Sequence, residues 1–238
     1  MKERQQKILN AVVKEYQKTG QPVASAVLLE RYEFDLSPAT IRAEMLNLDE
    51  AGYLAQPHTS AGRVPTDKAL RFFVDEMAAE DLKQAEKNQI WERMEQYHDE
   101  SIREMAEFLA DCSKSLGISG LFGRDKDFHE AGLKWLAEEP EFEGGDFRHI
   151  MKYFDSLDKD FEKFFGDLDD EVEIFIGQEN PIKYLHNCSL VVTGFEGEEG
   201  RGVLAILGSK RMNYQKNKFV LEETRKKLRN TCPPITKA

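Results

Sequence analysis

The 238-residue chain is 40% hydrophobic and 32% charged, which excludes a disordered or fibrous polymer and allows a buried core in one or two domains. No run approaches the roughly 18 apolar residues of a spanning helix, and "MKERQQKILN" has no apolar leader, so a cytoplasmic protein with no membrane partner is expected. The net charge of -11 opposes a nucleic-acid partner only if it is spread evenly, and it is not: residues 1–75 hold 10 Lys+Arg against 10 Asp+Glu, the remainder 23 against 34, and the last 38 residues 10 against 2.

The first element predicted is a helix over Glu3 to Lys18, with Ile8, Leu9, Val12, Val13 and Tyr16 on one face and Thr19-Gly20 as its stop. Val23 is expected in a short strand, and a second helix runs from about Ser25 to Tyr32 with Val27, Leu28 and Leu29 inward. Ser37 is a preferred N-cap and Pro38 suits the first helical turn, so a third helix follows, with Ile41, Met45 and Leu48 at helical spacing and Gly52 as its end. Tyr53 to Gln56 and Arg63 to Val64 form a hairpin whose tip is Pro57 to Gly62, and Thr66-Asp67 opens a fourth helix through Leu70, Phe73, Val74 and Met77. Three short helices and a hairpin spell a winged helix-turn-helix over residues 1–75.

In such a motif the second helix of the pair enters the major groove and presents its N-terminal residues to base edges. Those are Ser37, Pro38, Ala39, Thr40 and, one turn on, Arg42. Small residues at the start let the backbone approach, Thr40 suits base edges or a thymine methyl, and Arg42 reaches a guanine or a phosphate. The hydroxyls of Thr59 and Ser60, the backbone amides around Gly62 and the charge of Arg63 suit phosphate or minor-groove contact, and His58 is read equally as a contact or as a structural residue of the wing. Loss of Arg63 is expected to lower the salt slope of DNA binding by about one unit.

From Glu76 to about Cys112 the sequence predicts one long acidic helix, with Ile90, Met94, Tyr97, Met105, Phe108 and Cys112 as a broken seam open to a linker or a dimerising role. Beyond it, "GLKWLAEEPEF" and "FRHIMKYFDSLDKDFEKFFGDL" are helical, "EVEIFIG" alternates as a strand, "CSLVVTGF" and "GVLAILG" form a hairpin, and a last helix spans roughly Tyr214 to Leu228. This is an α+β domain with a small antiparallel sheet. The whole divides as a winged helix (1–75), a linker or dimerisation helix (76–115) and an α+β domain (116–238).

Chemistry other than binding finds little support. Cys112, Cys188 and Cys232 lie far apart without a CxxC pair, so neither disulfide nor zinc site is expected. His186 and Cys188 are the one conceivable base and nucleophile, but no carboxylate is placed to orient them, and a plain buried cysteine is the better reading. "DLDDEVE" lacks the spacing of a calcium loop, and "LGSKRMNY" is better read as a turn than as an anion site. No catalytic residue, metal or cofactor is expected.

The run "LSPATIRAEMLNLDEAGYLAQPHTSAGRVPTDKALRFFVDEM" resembles the N-terminal domain of the heat-inducible transcription repressor HrcA family, with "SPATIR" and "PHTSAGRVPT" together at the right separation. "IFIGQENPI", "CSLV" and "GVLAILGSKRMNY" resemble the family's C-terminal GAF-like domain. The resemblance implies a homodimeric repressor of chaperone operons, bound to double-stranded inverted-repeat operator DNA and modulated by the GroE chaperonin. It places the winged-helix residues at Ser37, Pro38, Ala39, Thr40 and Arg42 and at His58, Thr59, Ser60 and Arg63. The chain departs from the pattern where "CSKSLGISGLFGRDKDFHEA" replaces further strands and an inserted dimerising segment. It resembles a short form, its GAF-like sheet expected to be short of strands and its dimer contact to come from the helix over Glu76 to Cys112 or from the GAF-like domain. Rival readings are a winged-helix repressor sensing a small molecule through that domain, an enzyme using His186 and Cys188, and a winged helix that binds protein, which the neutral charge of residues 1–75 favours.

Overall fold

The computed structural model describes residues 1–58, 61–77, 82–97, 101–123, 126–197 and 200–231, and the chain forms two compact units, Met1–Ala78 and Ala79–Ala238.

The first unit contains helix α1 (Glu3–Thr19), α2 (Ser25–Arg31), α3 (Pro38–Glu50), strands β1 (Leu54–Ala55) and β2 (Val64–Pro65), and α4 (Asp67–Asp75). Sequence punctuation sets these limits. Gly20 closes α1 in a left-handed conformation (φ 65°) with its N–H on the Tyr16 carbonyl at 2.8 Å. Ser37 caps α3 by accepting from the Thr40 N–H at 3.1 Å, and Thr66 caps α4 by accepting from the Ala69 N–H at 3.4 Å. The core is Ile8, Leu9 and Val12 of α1 against Leu28 of α2, Ile41, Met45 and Leu48 of α3, and Leu54 of β1. Of the second helix's three predicted inward residues only Leu28 is fully buried, because a seven-residue helix offers two turns and one inward position.

β1 and β2 pair antiparallel, Leu54 with Pro65 and Ala55 with Val64. Val23 adds a third, one-residue rung: its N–H donates to the Arg63 carbonyl at 2.8 Å and its carbonyl accepts from the Arg63 N–H at 2.9 Å. Thr66 Oγ1 donates to the Gly52 carbonyl at 2.7 Å, tying the start of α4 to the end of α3.

The second unit is a five-stranded antiparallel sheet between two helical layers, so the α+β class holds. Its helices α5 (Gln84–Met94) and α6 (Ile102–Ser113) precede strands β3 (Leu116–Leu121) and β4 (Asp127–Ala131); α7 (Leu133–Glu138), α8 (Asp146–Lys152) and α9 (Leu157–Phe165) follow. Then come β5 (Glu173–Ile176), β6 (Cys188–Gly197), β7 (Gly200–Ser209) and α10 (Tyr214–Thr231), with the sheet in the order β4-β3-β7-β6-β5. One face, carrying Leu116, Ile118, Leu190, Val192, Val203 and Ala205, packs under α7, α8 and α9. The other face lies under α6 and α10.

Three expectations are corrected here. The single helix over Glu76 to Cys112 is two helices: Ser101 is not a flaw in a seam but the N-cap of α6, accepting from the Glu104 N–H at 3.3 Å. Of the six seam residues Ile90, Met105, Phe108 and Cys112 are buried within the unit and Met94 and Tyr97 are half-buried, so no continuous intermolecular seam is left. Likewise "FRHIMKYFDSLDKDFEKFFGDL" splits at a 3-10 turn over Phe154–Ser156 into α8 and α9. Finally, "CSKSLGISGLFGRDKDFHEA" supplies two full strands, β3 and β4, so the sheet is not short of them. A side chain at Gly117 of β3 would put its Cβ 2.3 Å from the Ala106 carbonyl oxygen and 2.6 Å from the Ala110 N, so only glycine lets α6 lie directly on this strand.

Candidate nucleic-acid interface

Burial divides α3 into two faces. Ile41, Glu44, Met45 and Leu48 point inward, while Ala39, Arg42, Ala43, Leu46, Asn47 and Glu50 are exposed at intervals of three and four along the other side. Ser37 and Pro38 stand exposed at its start. Thr40 is half-buried and its hydroxyl lies 2.8 Å from that of Ser37, so it belongs to the cap as much as to the outer surface. Arg42 is exposed and has no ion-pair partner among the described residues.

The hairpin stands beside this face because of two close contacts. A Cβ on Gly62 would sit 2.4 Å from the carbonyl carbon and oxygen of Val23, so glycine is required where β2 meets the Val23 rung. Arg63 Nε lies 2.5 Å from Asp49 Oδ2, and its side chain is 18% exposed. The guanidinium thus latches the hairpin onto the last turn of α3 instead of extending into solvent. His58 is exposed, and its carbonyl accepts the Ala61 N–H at 2.8 Å across the tip. Thr59 and Ser60 lie outside the described residues. Between α3 and the hairpin runs a groove of about 400 Å³ lined by Ala24, Arg42, Met45, Leu46, Gln56 and Gly62, among others.

Charge on this surface is managed locally. Glu44 is buried, 5% exposed, and receives hydrogen bonds from Arg4 and, at 3.0 Å, Gln5 of α1, and at 3.4 Å from Asn47. Burial alone would raise its pKa; the hydrogen bonds from Asn47, Gln5 and Arg4, with the Arg4 charge, outweigh that and hold the carboxyl below its ordinary range. Asp49 is held by Arg63. Glu44 and Asp49 are therefore neutralised in place, and residues 1–75, which carry no net charge, still show a face without free acid from Pro38 to Asn47, with Glu50 exposed beyond it.

Sequence reasoning identified the start of α3, and the structure groups Ser37, Pro38, Ala39 and Arg42 on one exposed end. It missed Ala43 and Leu46, whose signal was available as the helical complement of Ile41, Met45 and Leu48. The rival constellations do not assemble. Cys188 is fully buried in β6, and His186 Nε2 lies 3.1 Å from the Asn180 carbonyl oxygen. Burial also pushes the Cys112 thiol pKa up, away from a reactive thiolate. Among the described residues no group of three or more His, Cys, Asp or Glu could hold a metal, and no helix is long and apolar enough to cross a membrane.

Residues 59–217 match the HrcA family over the region described as the HrcA protein C terminal domain. The chain belongs to the HrcA family. A protein named heat-inducible transcription repressor HrcA from Natranaerobius thermophilus is 45% identical over 107 residues, 45% of this chain and 31% of that protein. The HrcA of Beutenbergia cavernae is 55% identical over 76 residues, 32% of this chain and 22% of its own length. The chain thus spans about a third or less of the length of the curated HrcA relatives it matches, which are named as repressors and not as enzymes. A solved structure described as a hypothetical protein at 2.2 Å resolution shares the fold, with a TM-score of 0.75 at 21% identity over 96% of this chain and 97% of that one.

Proposed function

We propose that this chain is a sequence-specific DNA-binding transcriptional repressor of heat-shock and chaperone operons, bound as a homodimer to an inverted-repeat operator. Residues 1–75 act as a winged helix-turn-helix, with α3 as the recognition helix, β1 and β2 as the wing, and the second unit as a GAF-like domain. The observation that carries this reading is the exposed N-terminal part of the α3 stripe, Pro38 to Asn47, which bears the cation Arg42 and no exposed acid and stands beside a hairpin fixed to α3 by Gly62 and the Arg63–Asp49 pair. A helix of 13 residues presented in this way fits the major groove, and its capped N-terminus suits a flanking phosphate.

Ser37, Pro38, Ala39, Thr40 and Arg42 make the helix contacts, and His58, Thr59 and Ser60 the wing contacts. Arg63 holds the wing in register on α3. The relatives' names supply the regulatory context, repression of heat-inducible genes, and GroE chaperonin is the proposed modulator. The test is a gel shift of the full chain on an inverted-repeat fragment from upstream of the organism's chaperone genes, at several salt concentrations, with and without chaperonin. Binding that weakens linearly in log affinity against log salt, and strengthens with chaperonin, is the expected result. No shift under either condition removes the DNA-binding reading, and a shift indifferent to chaperonin removes the modulator.

A further inference from the structure

Leu46 is 49% exposed, an apolar side chain standing in water at the middle of the outer stripe of α3. A lone exposed leucine is ordinary on a protein surface; this one has specific neighbours. It lies one turn beyond Arg42 and next in the stripe to Ala43, belongs to no core cluster, and lines the groove between α3 and the hairpin. Two of the three acids of α3 are withdrawn from a polyanion, Glu44 into the contact with Arg4 and Asp49 into the contact with Arg63, and the third, Glu50, stands exposed at the far end of the helix. On its N-terminal side the surroundings are thus a cation and small side chains, with the exposed Glu50 one turn beyond on the other side, and it is the Arg42 end of the stripe that suits a duplex. In the major groove the one apolar base-edge group is the C5 methyl of thymine.

We infer that Leu46 is a specificity-determining residue that packs on a thymine C5 methyl of each operator half-site, with Ala43 leaving room for the approach. This rests on the proposed DNA-binding function and adds to it a residue and a base feature that the helix N-terminus does not supply. Leucine, having no donor or acceptor, senses the methyl alone and is blind to the hydrogen-bonding edge that thymine shares with uracil.

The experiment uses the full chain and the inverted-repeat duplex with each thymine replaced in turn, symmetrically in both half-sites, by deoxyuridine. Equilibrium anisotropy at fixed salt should show one thymine per half-site whose methyl loss weakens binding about fourfold, the order expected for one buried methyl group. Leu46→Ala should bind the unmodified operator with a similar loss and be indifferent to deoxyuridine at that position, while Leu46→Met keeps the sensitivity. Because Leu46 is exposed and alanine favours helix, both variants should melt with the wild type. Salt-dependent binding without methyl sensitivity at any thymine overturns this inference and leaves the DNA-binding reading standing, as does an L46A variant that remains methyl-sensitive. Failure of the wild type to bind any of the duplexes overturns both.

Discussion

Gly62 and Glu44 show how single residues fix the surface proposed to meet DNA. Adding one methyl at Gly62 would place it inside van der Waals contact with the Val23 backbone, which is not the end of a flexible side chain and cannot swing away. Gly62→Ala is therefore expected to destabilise the first unit by about 1–3 kcal/mol, the usual cost of overpacking, and to lower operator affinity; thermal melts and gel shifts read both. An unchanged melt would show that β2 and Val23 separate easily. Glu44 gives a pH dependence. Its carboxyl is held below the ordinary value of 4.5, so its contribution is complete above that value and disappears as pH falls through the lower folded-state pKa. The gap in melting temperature between wild type and Glu44→Gln should be open at neutral pH and close on acidification below about 4.5; a gap that widens with acid contradicts the assignment. Ser37, Pro38, Ala39 and Arg42 could be read from the sequence because a capping serine and an N-terminal proline announce where a helix begins. Leu46 could not be separated from its neighbours so simply. In "EMLNL" it stands between Met45 and Leu48, and its outward position follows only once those two, with Ile41, are assigned to the inner face.

At the level of elements, the hairpin and α3 are held together by the Arg63–Asp49 ion pair. This changes the expectation for Arg63→Ala. Were Arg63 a phosphate contact, its loss would lower the salt slope by about one unit. As a latch, its loss should weaken operator binding with the slope unchanged, Asp49→Ala should do the same, and the double variant should bind no worse than either single one. Additive losses, or a reduced slope for R63A alone, would return Arg63 to the phosphate backbone. The same level shows which elements could be read from the sequence. α1, α3, α4 and the hairpins carry their own stops and caps, so their pattern and their structure agree. The break between α5 and α6 was hidden because helical spacing continued across it, and Ser101 was the only mark of a new start. β3 was hidden for the opposite reason. Both of its faces are covered, Ser119 included, so burial does not follow an apolar-polar alternation, and glycines occupy two of its six positions where α6 and Phe128 press against the backbone.

For the molecule as a whole, the proposed operator imposes a condition that one recognition helix cannot meet. An inverted repeat presents two equivalent half-sites, and a protein reading both must itself be two-fold symmetric. The acidic balance lies outside residues 1–75, so each half-site contact gains little from bulk charge and depends on the local arrangement at α3 and the hairpin. Joining two such contacts raises the effective concentration at the second half-site and strengthens binding by about 10²–10⁴ without any new contact to DNA. The helices over residues 84–113 offer no continuous coiled-coil seam for the joint, since Ile90, Met105, Phe108 and Cys112 are already inside the second unit. In the proposed dimer the contact would then be made by other surface of the chain. The full chain at micromolar concentration is expected to sediment as a dimer and to load two chains on one operator. Scrambling one half-site should cost at least about a hundredfold in affinity. A monomer that binds one half-site as tightly as the full repeat would remove the two-fold assembly and leave a repressor that reads each half-site on its own.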